Sequence, residues 1–115
     1  MTVTIYHNPR CSKSRQTLAL IEEKGVTPKI VDYVKTPPSA AELKRVLKKL
    51  GLKPRDILRK GEAVYAELGL DDKDLKDDAL IALMVKNPIL IERPIVVSGD
   101  RAALGRPPEA VLKIL

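Results

Sequence analysis

The first thirty-odd residues constrain the fold most. A short apolar run, Val3 to Tyr6, leads through His7-Asn8-Pro9-Arg10 to Cys11. Cys11 or Ser12 then opens a stretch that carries Leu18, Leu20 and Ile21 and runs to Lys24, which reads as a helix. Gly25 is the expected residue just past its end, because glycine enters the left-handed cap without a Cβ penalty. After Pro28 comes a second strand-like run, Ile30 to Val34. Strand, helix and strand within about thirty residues is a βαβ unit, which makes the two strands parallel. The chain is therefore read as α/β.

The middle of the chain reads as mostly helical. Ser39 and Glu42 have the spacing of a capping box, and Leu43, Val46, Leu47 and Leu50 follow on one face, with Gly51 as the stop. Pro54 suits the first position of a short helix over Arg55 to Lys60. A further short helix is expected from Glu62 to Leu68, before Gly69. A longer one is expected from Leu75 to Lys86, with Asp77 and Asp78 near its start and Asn87-Pro88 as its stop. Ile89 to Ile91 and Ile95 to Val97 then read as strands. Ser98-Gly99-Asp100 is a turn that leads to a short strand near Ala102 to Leu104. Pro107-Pro108-Glu109 opens a last helix. The predicted order is βαβ, a helical insertion at about 39–87, then ββα, all in a single domain over 1–115.

Cys11, the only cysteine, falls where a strand ends and a helix begins. A helix N-terminus presents unpaired N–H groups and partial positive charge, which favour an anion. His7, Arg10, Lys13 and Arg15 add charge of the same sign or the capacity for it. Such surroundings favour a reactive thiolate over an inert thiol. The plainer alternative is a buried cysteine acting as a small hydrophobe, yet four basic or titratable neighbours do not belong in a core.

The 115-residue chain is 44% hydrophobic and 31% charged, in keeping with a soluble globular domain. Its 21 Lys+Arg against 15 Asp+Glu give a net charge of +6, which favours anionic partners. Nucleic acid is not expected: there is no Phe or Trp, and three Tyr make a poor stacking platform. One cysteine excludes an intrachain disulfide framework. The N-terminus lacks a basic region followed by an apolar run, and the run Ala79 to Val85 is far short of the roughly 20 residues that span a bilayer. A cytoplasmic protein without membrane contact is the expectation.

A thiolate that attacks an oxyanion needs further cations to bind the other oxygens. Arg59, Arg93 and Arg106 are the candidates, although each taken alone could be a solvated surface charge. Arg93 precedes Pro94 and is pushed to extended geometry; Arg106 precedes the Pro-Pro helix start.

The ordered set of Ile5-Tyr6-His7-Asn8-Pro9-Arg10-Cys11 with Ser14-Arg15, Leu58-Arg59-Lys60, Asn87-Pro88-Ile89-Leu90-Ile91, Arg93-Pro94-Ile95-Val96-Val97 and Gly105-Arg106-Pro107 resembles the glutaredoxin-coupled arsenate reductases (ArsC-like) and their short relatives. The resemblance covers essentially the whole chain. It implies a thioredoxin-like fold with a mixed central sheet. It also implies a thiol-dependent oxidoreductase in which Cys11 attacks arsenate or a similar oxyanion. Glutathione, as co-substrate, and glutaredoxin then complete reduction to arsenite. His7 resembles the residue that helps to favour the thiolate, Ser14 a hydroxyl that hydrogen-bonds it, and Arg59, Arg93 and Arg106 the oxyanion-binding arginines. No bound cofactor or metal is implied. For His7 a plain hydrogen-bonded place at the strand end stays open, as does local capping for Ser14. Two other functions stay open as well: a thiol redox enzyme acting on glutathione mixed disulfides, and an Spx-like regulator that binds RNA polymerase. Ser14 stands where many such regulators carry the second thiol of a Cys-x-x-Cys switch.

Overall fold

The computed structural model describes residues 2–115. They form two compact units, one from the residues up to Thr36 together with Arg93–Leu115, the other Pro37–Glu92.

The first unit is a four-stranded mixed sheet with a helix crossover, the thioredoxin-like arrangement. Strand β1, Val3–His7, leads through a turn to helix α1, Ser12–Glu23, and on to β2, Lys29–Asp32. β3, Ile95–Ser98, and β4, Arg101–Leu104, form the hairpin. The strand order is β2-β1-β3-β4. β1 runs parallel to β2, pairing Ile5 with Ile30, and antiparallel to β3, pairing Ile5 with Val96. Val3, Ile5, Ile21, Val96 and Val111 form the core of this unit, with Leu18, Val26, Ala103 and Ile114 packed against it. β1 is flanked on both sides and buried over most of its length, so its C-terminal end, where Cys11 follows, is fixed by ladder hydrogen bonds on both edges.

The second unit is built on α2, Ala40–Leu50, α3, Ala63–Glu67, and α4, Asp77–Lys86. α2 buries Leu43, Val46 and Leu47, and α4 buries Leu80, Ile81 and Met84. Leu58 and Ile91 form an isolated antiparallel bridge.

Several boundaries differ from expectation. β2 ends at Asp32 rather than Val34, because Lys35 and Thr36 donate their N–H groups to the Asp32 carbonyl and close a turn. The helix expected over Arg55 to Lys60 is a 3₁₀ turn, Pro54–Ile57; Leu58 leaves it for the bridge to Ile91. The helix expected from Leu75 starts at Asp77, since Leu75 is taken up in a turn with Asp72. Ile89 to Ile91 is not a strand. Pro88–Leu90 is a 3₁₀ turn, and only Ile91 pairs, through its bridge to Leu58. The last helix is 3₁₀ over Pro108–Ile114, long for that type. The Arg93–Pro94 and Arg106–Pro107 peptide bonds are cis.

Candidate active site

Asn8 organises the turn between β1 and α1. Its side-chain Oδ1 accepts the Arg10 N–H at 3.0 Å, and its carbonyl accepts the Cys11 N–H at 3.0 Å. Its own N–H donates to Ser14 Oγ at 3.0 Å. An Asn-Pro pair is a turn signal, and this turn delivers Cys11 to the N-cap of α1 with extended angles, φ −96° and ψ 124°. The Cys11 carbonyl accepts the Arg15 N–H at 3.0 Å and so starts the helix. Its thiol makes no capping hydrogen bond. Cys11 is half-buried, and the first turn that follows, Ser12 to Arg15, contains no acidic residue. A half-buried cysteine thus sits at the positive pole of a twelve-residue helix.

Of the basic neighbours, Arg10, Lys13 and Arg15 are exposed. Arg15 Nη1 donates to the Pro9 carbonyl at 2.8 Å, which ties its guanidinium back over the turn. His7 and Ser14 are brought together beneath it. The two are 7% and 0% exposed, and His7 Nδ1 and Ser14 Oγ share a 2.6 Å hydrogen bond. Burial pushes the His7 pKa below its ordinary value; Asp32 opposes the shift and Arg15 adds to it. Neutral imidazole is therefore the form at neutral pH. Its link to the turn is a hydrogen bond through Ser14 rather than a fixed positive charge. The Ser14 hydroxyl is engaged by His7 and Asn8.

Arg93 and Arg106 lie together at the hairpin's open end. Arg106 Nε donates to the Arg93 carbonyl at 2.9 Å, and the Gly105 N–H donates to the Pro94 carbonyl at 2.9 Å. Gly105 permits this closeness. A Cβ there would stand 2.5 Å from Thr17 Oγ1 and 2.6 Å from Pro94 Cγ. Arg93 is half-buried, with Nε and Nη1 removed from solvent. Arg59 belongs to the second unit and has two carboxylates beside it. Its Nη1 pairs with Glu62 Oε1, and its Nε lies 3.7 Å from Glu92 Oε1.

The sequence alone assigns no site role to Asn8, Thr17, Gly105 or the two carboxylates. Asn8 was readable from the Asn-Pro turn signal, and Glu62 from its i+3 spacing to Arg59. Thr17, Gly105 and Glu92 meet their partners only in the folded chain. Among the described residues no group of three or more His, Cys, Asp or Glu side chains could hold a metal ion. Among the described residues, too, no helix is long and apolar enough to cross a membrane.

Comparison with known proteins gives this site a family. The arsenate reductase of Haemophilus influenzae is 49% identical over the full length of both chains. YfgD of Escherichia coli is 54% identical over 98% of this chain and 96% of its own. The solved structure of an arsenate reductase from Vibrio cholerae superposes with a TM-score of 0.97 at 55% identity, covering 100% of this chain and 98% of that one. A profile of the ArsC family matches residues 6–114, a span that takes in His7, Cys11, Ser14 and all three arginines. The chain belongs to the ArsC family.

Proposed function

We propose that this protein is a cytoplasmic arsenate reductase that works with glutathione and glutaredoxin. The observation that carries the reading is Cys11 at the N-cap of α1, partly open, in a first turn that has cations and no acid. The Cys11 thiolate attacks arsenic and displaces one oxygen as water, forming a thiol-arsenate adduct. The glutathione thiol adds next and displaces a second water. A glutaredoxin thiolate then attacks the glutathione sulfur. The sulfur–arsenic electron pair stays on arsenic, which falls from As(V) to As(III). Hydrolysis releases arsenite and frees Cys11. The N–H groups of the first turn of α1 and the guanidinium groups of Arg59, Arg93 and Arg106 neutralise the oxyanion, since charge-assisted bonds to oxyanions are strong. His7 and Ser14 set the turn that holds the nucleophile. The helical block acts as an insertion in a single domain. Ser14, buried where a second thiol would complete an intramolecular switch, leaves the regulator without support.

The test is coupled turnover with arsenate, glutathione, glutaredoxin, glutathione reductase and NADPH. Arsenate-dependent NADPH loss is expected, and Cys11→Ser should lower it by at least about a hundredfold, as loss of a nucleophile does. Absence of turnover in the wild type would sink the reductase. Turnover retained in the variant would remove Cys11 as nucleophile.

A further inference from the structure

Arg59 is held in an arrangement that the oxyanion-binding role does not by itself require. The Arg59 N–H donates to the Leu90 carbonyl at 2.8 Å, and the Glu92 N–H donates to the Ile57 carbonyl at 2.8 Å. Together with the Leu58–Ile91 bridge, these bonds bring the backbone of Arg59 alongside that of Glu92. The Glu62 N–H donates to the Arg59 carbonyl at 3.3 Å and closes the turn that returns Glu62 over the arginine. The backbone therefore places two carboxylates on one guanidinium. The side chains of Arg59, Glu62 and Glu92 are 22%, 26% and 23% exposed. The three are partly exposed, so their coupling lies near the upper end of the range for solvated pairs.

We propose that Glu62, backed by Glu92, is a specificity-determining residue that positions Arg59 and competes with the incoming oxyanion for it. The inference rests on the reading of Arg59 as an oxyanion ligand. A carboxylate and a tetrahedral oxyanion each offer two oxygens to the same planar fork. An oxyanion engages Arg59 only by displacing Glu62 or by sharing the guanidinium with it. Weakly held monoanions cannot do so; a dianion with several strong acceptor oxygens can. Glu62 thus keeps a cation preorganised while preventing it from serving as a general anion trap.

The experiment is a double-mutant cycle read in the KM for arsenate and in inhibition by inorganic phosphate. Glu62→Gln keeps an oxygen acceptor for Arg59 and removes the charge. It should lower the KM for arsenate by about two- to fivefold and tighten phosphate inhibition by a similar factor, the range that one exposed to half-buried charge pair supports. In an Arg59→Ala background the same substitution should move neither quantity. Glu92→Gln should act in the same direction and more weakly, because its oxygen stands 3.7 Å from Nε. Protection of Cys11 from iodoacetamide by arsenate gives a second readout that needs no glutaredoxin. A KM unchanged or raised in Glu62→Gln, or a fall that persists without Arg59, would overturn the proposal. A different outcome, Arg59→Ala with the wild-type KM and wild-type protection, would instead remove Arg59 from the oxyanion site and take away the ground on which the inference stands.

Discussion

Helices α1 and α2 have twelve and eleven residues, and they begin and end by different rules. At the start of α2 the Ser39 side chain accepts the Glu42 N–H at 3.1 Å. Glu42 lies in the first turn, Lys48 and Lys49 in the last, and Gly51 closes the helix at φ 68°. Each of these agrees with capping and with the helix dipole. α1 has Cys11 at its N-cap without a side-chain cap, no acid in its first turn and no base in its last. Lys13 and Arg15 stand at the pole where the dipole disfavours them. α1 is held from outside instead. Ser14, Thr17 and Ile21 are buried, Ile21 packs with Ile5, Val96 and Val111, and Thr17 abuts Gly105. A helix that relies on tertiary packing can leave its N-terminal pole uncovered, and here the uncovered pole carries the thiol. Local rules are satisfied in α2 and broken in α1 at the site of the chemistry, as is expected of functional positions.

If packing holds α1, its closest approach should be the most sensitive point. Gly105→Ala places a Cβ 2.5 Å from Thr17 Oγ1 and 2.6 Å from Pro94 Cγ. Overpacking of this kind costs about 1–3 kcal/mol, measurable as a fall in the urea midpoint. Adding Thr17→Ala removes one of the two obstructions, so the double variant should lose less than the sum of the singles. A neutral Gly105→Ala would mean that α1 is held loosely, and the contrast with α2 would weaken.

The caps give a smaller effect with a sharper sign. Ser39→Ala removes the bond to Glu42 N and should cost about 1 kcal/mol. Cys11→Ser puts a capping hydroxyl where the backbone is already extended. It should gain up to about 1 kcal/mol of stability while abolishing the chemistry. Opposite signs at equivalent positions, read from urea unfolding of the two variants, would show that α1 goes uncapped for function. A loss in Cys11→Ser would show that the Asn8-Pro9 turn cannot seat a cap.

The same contrast decides what was legible in the sequence. α2 was readable because Ser39, Glu42, Gly51 and the Leu43-Val46-Leu47 face all point the same way. α1 was readable from Gly25 and from the two flanking strands. The βαβ unit and the hairpin followed from apolar runs separated by turn residues. Legibility ended where one residue's conformation depends on a distant partner. Leu58 and Ile91 each sit in a short apolar run that suits helix or strand, and their mutual bridge decides both. That bridge also sets Glu92 beside Arg59, which no spacing could reveal. Cys11, His7, Ser14 and the arginines could be named as residue types. The partners of Ser14 could not, because its burial against β1 turns its hydroxyl to His7 and Asn8.

His7 offers the finest test, since it lies under the uncovered pole. Burial is the largest influence on it and lowers its pKa; the Asp32 carboxylate opposes that, and Arg15 reinforces it. In the unfolded chain the imidazole returns to its ordinary value of 6.5. Below that pH the unfolded chain takes up a proton that the folded chain resists, so the unfolded state binds more protons and stability falls as pH drops. The stability is present above pH 6.5 and lost as pH falls from there toward the lower folded value. Urea unfolding followed from about pH 8 down to about pH 5 should show this slope in the wild type. His7→Gln, which keeps a hydrogen-bonding group beside Ser14 and cannot titrate, should flatten it. Asp32→Asn removes the one carboxylate that favours imidazolium and should steepen it. A wild-type slope of the opposite sign would mean that His7 is charged beneath α1. The first turn would then be reinforced by a cation from below rather than by a neutral hydrogen bond.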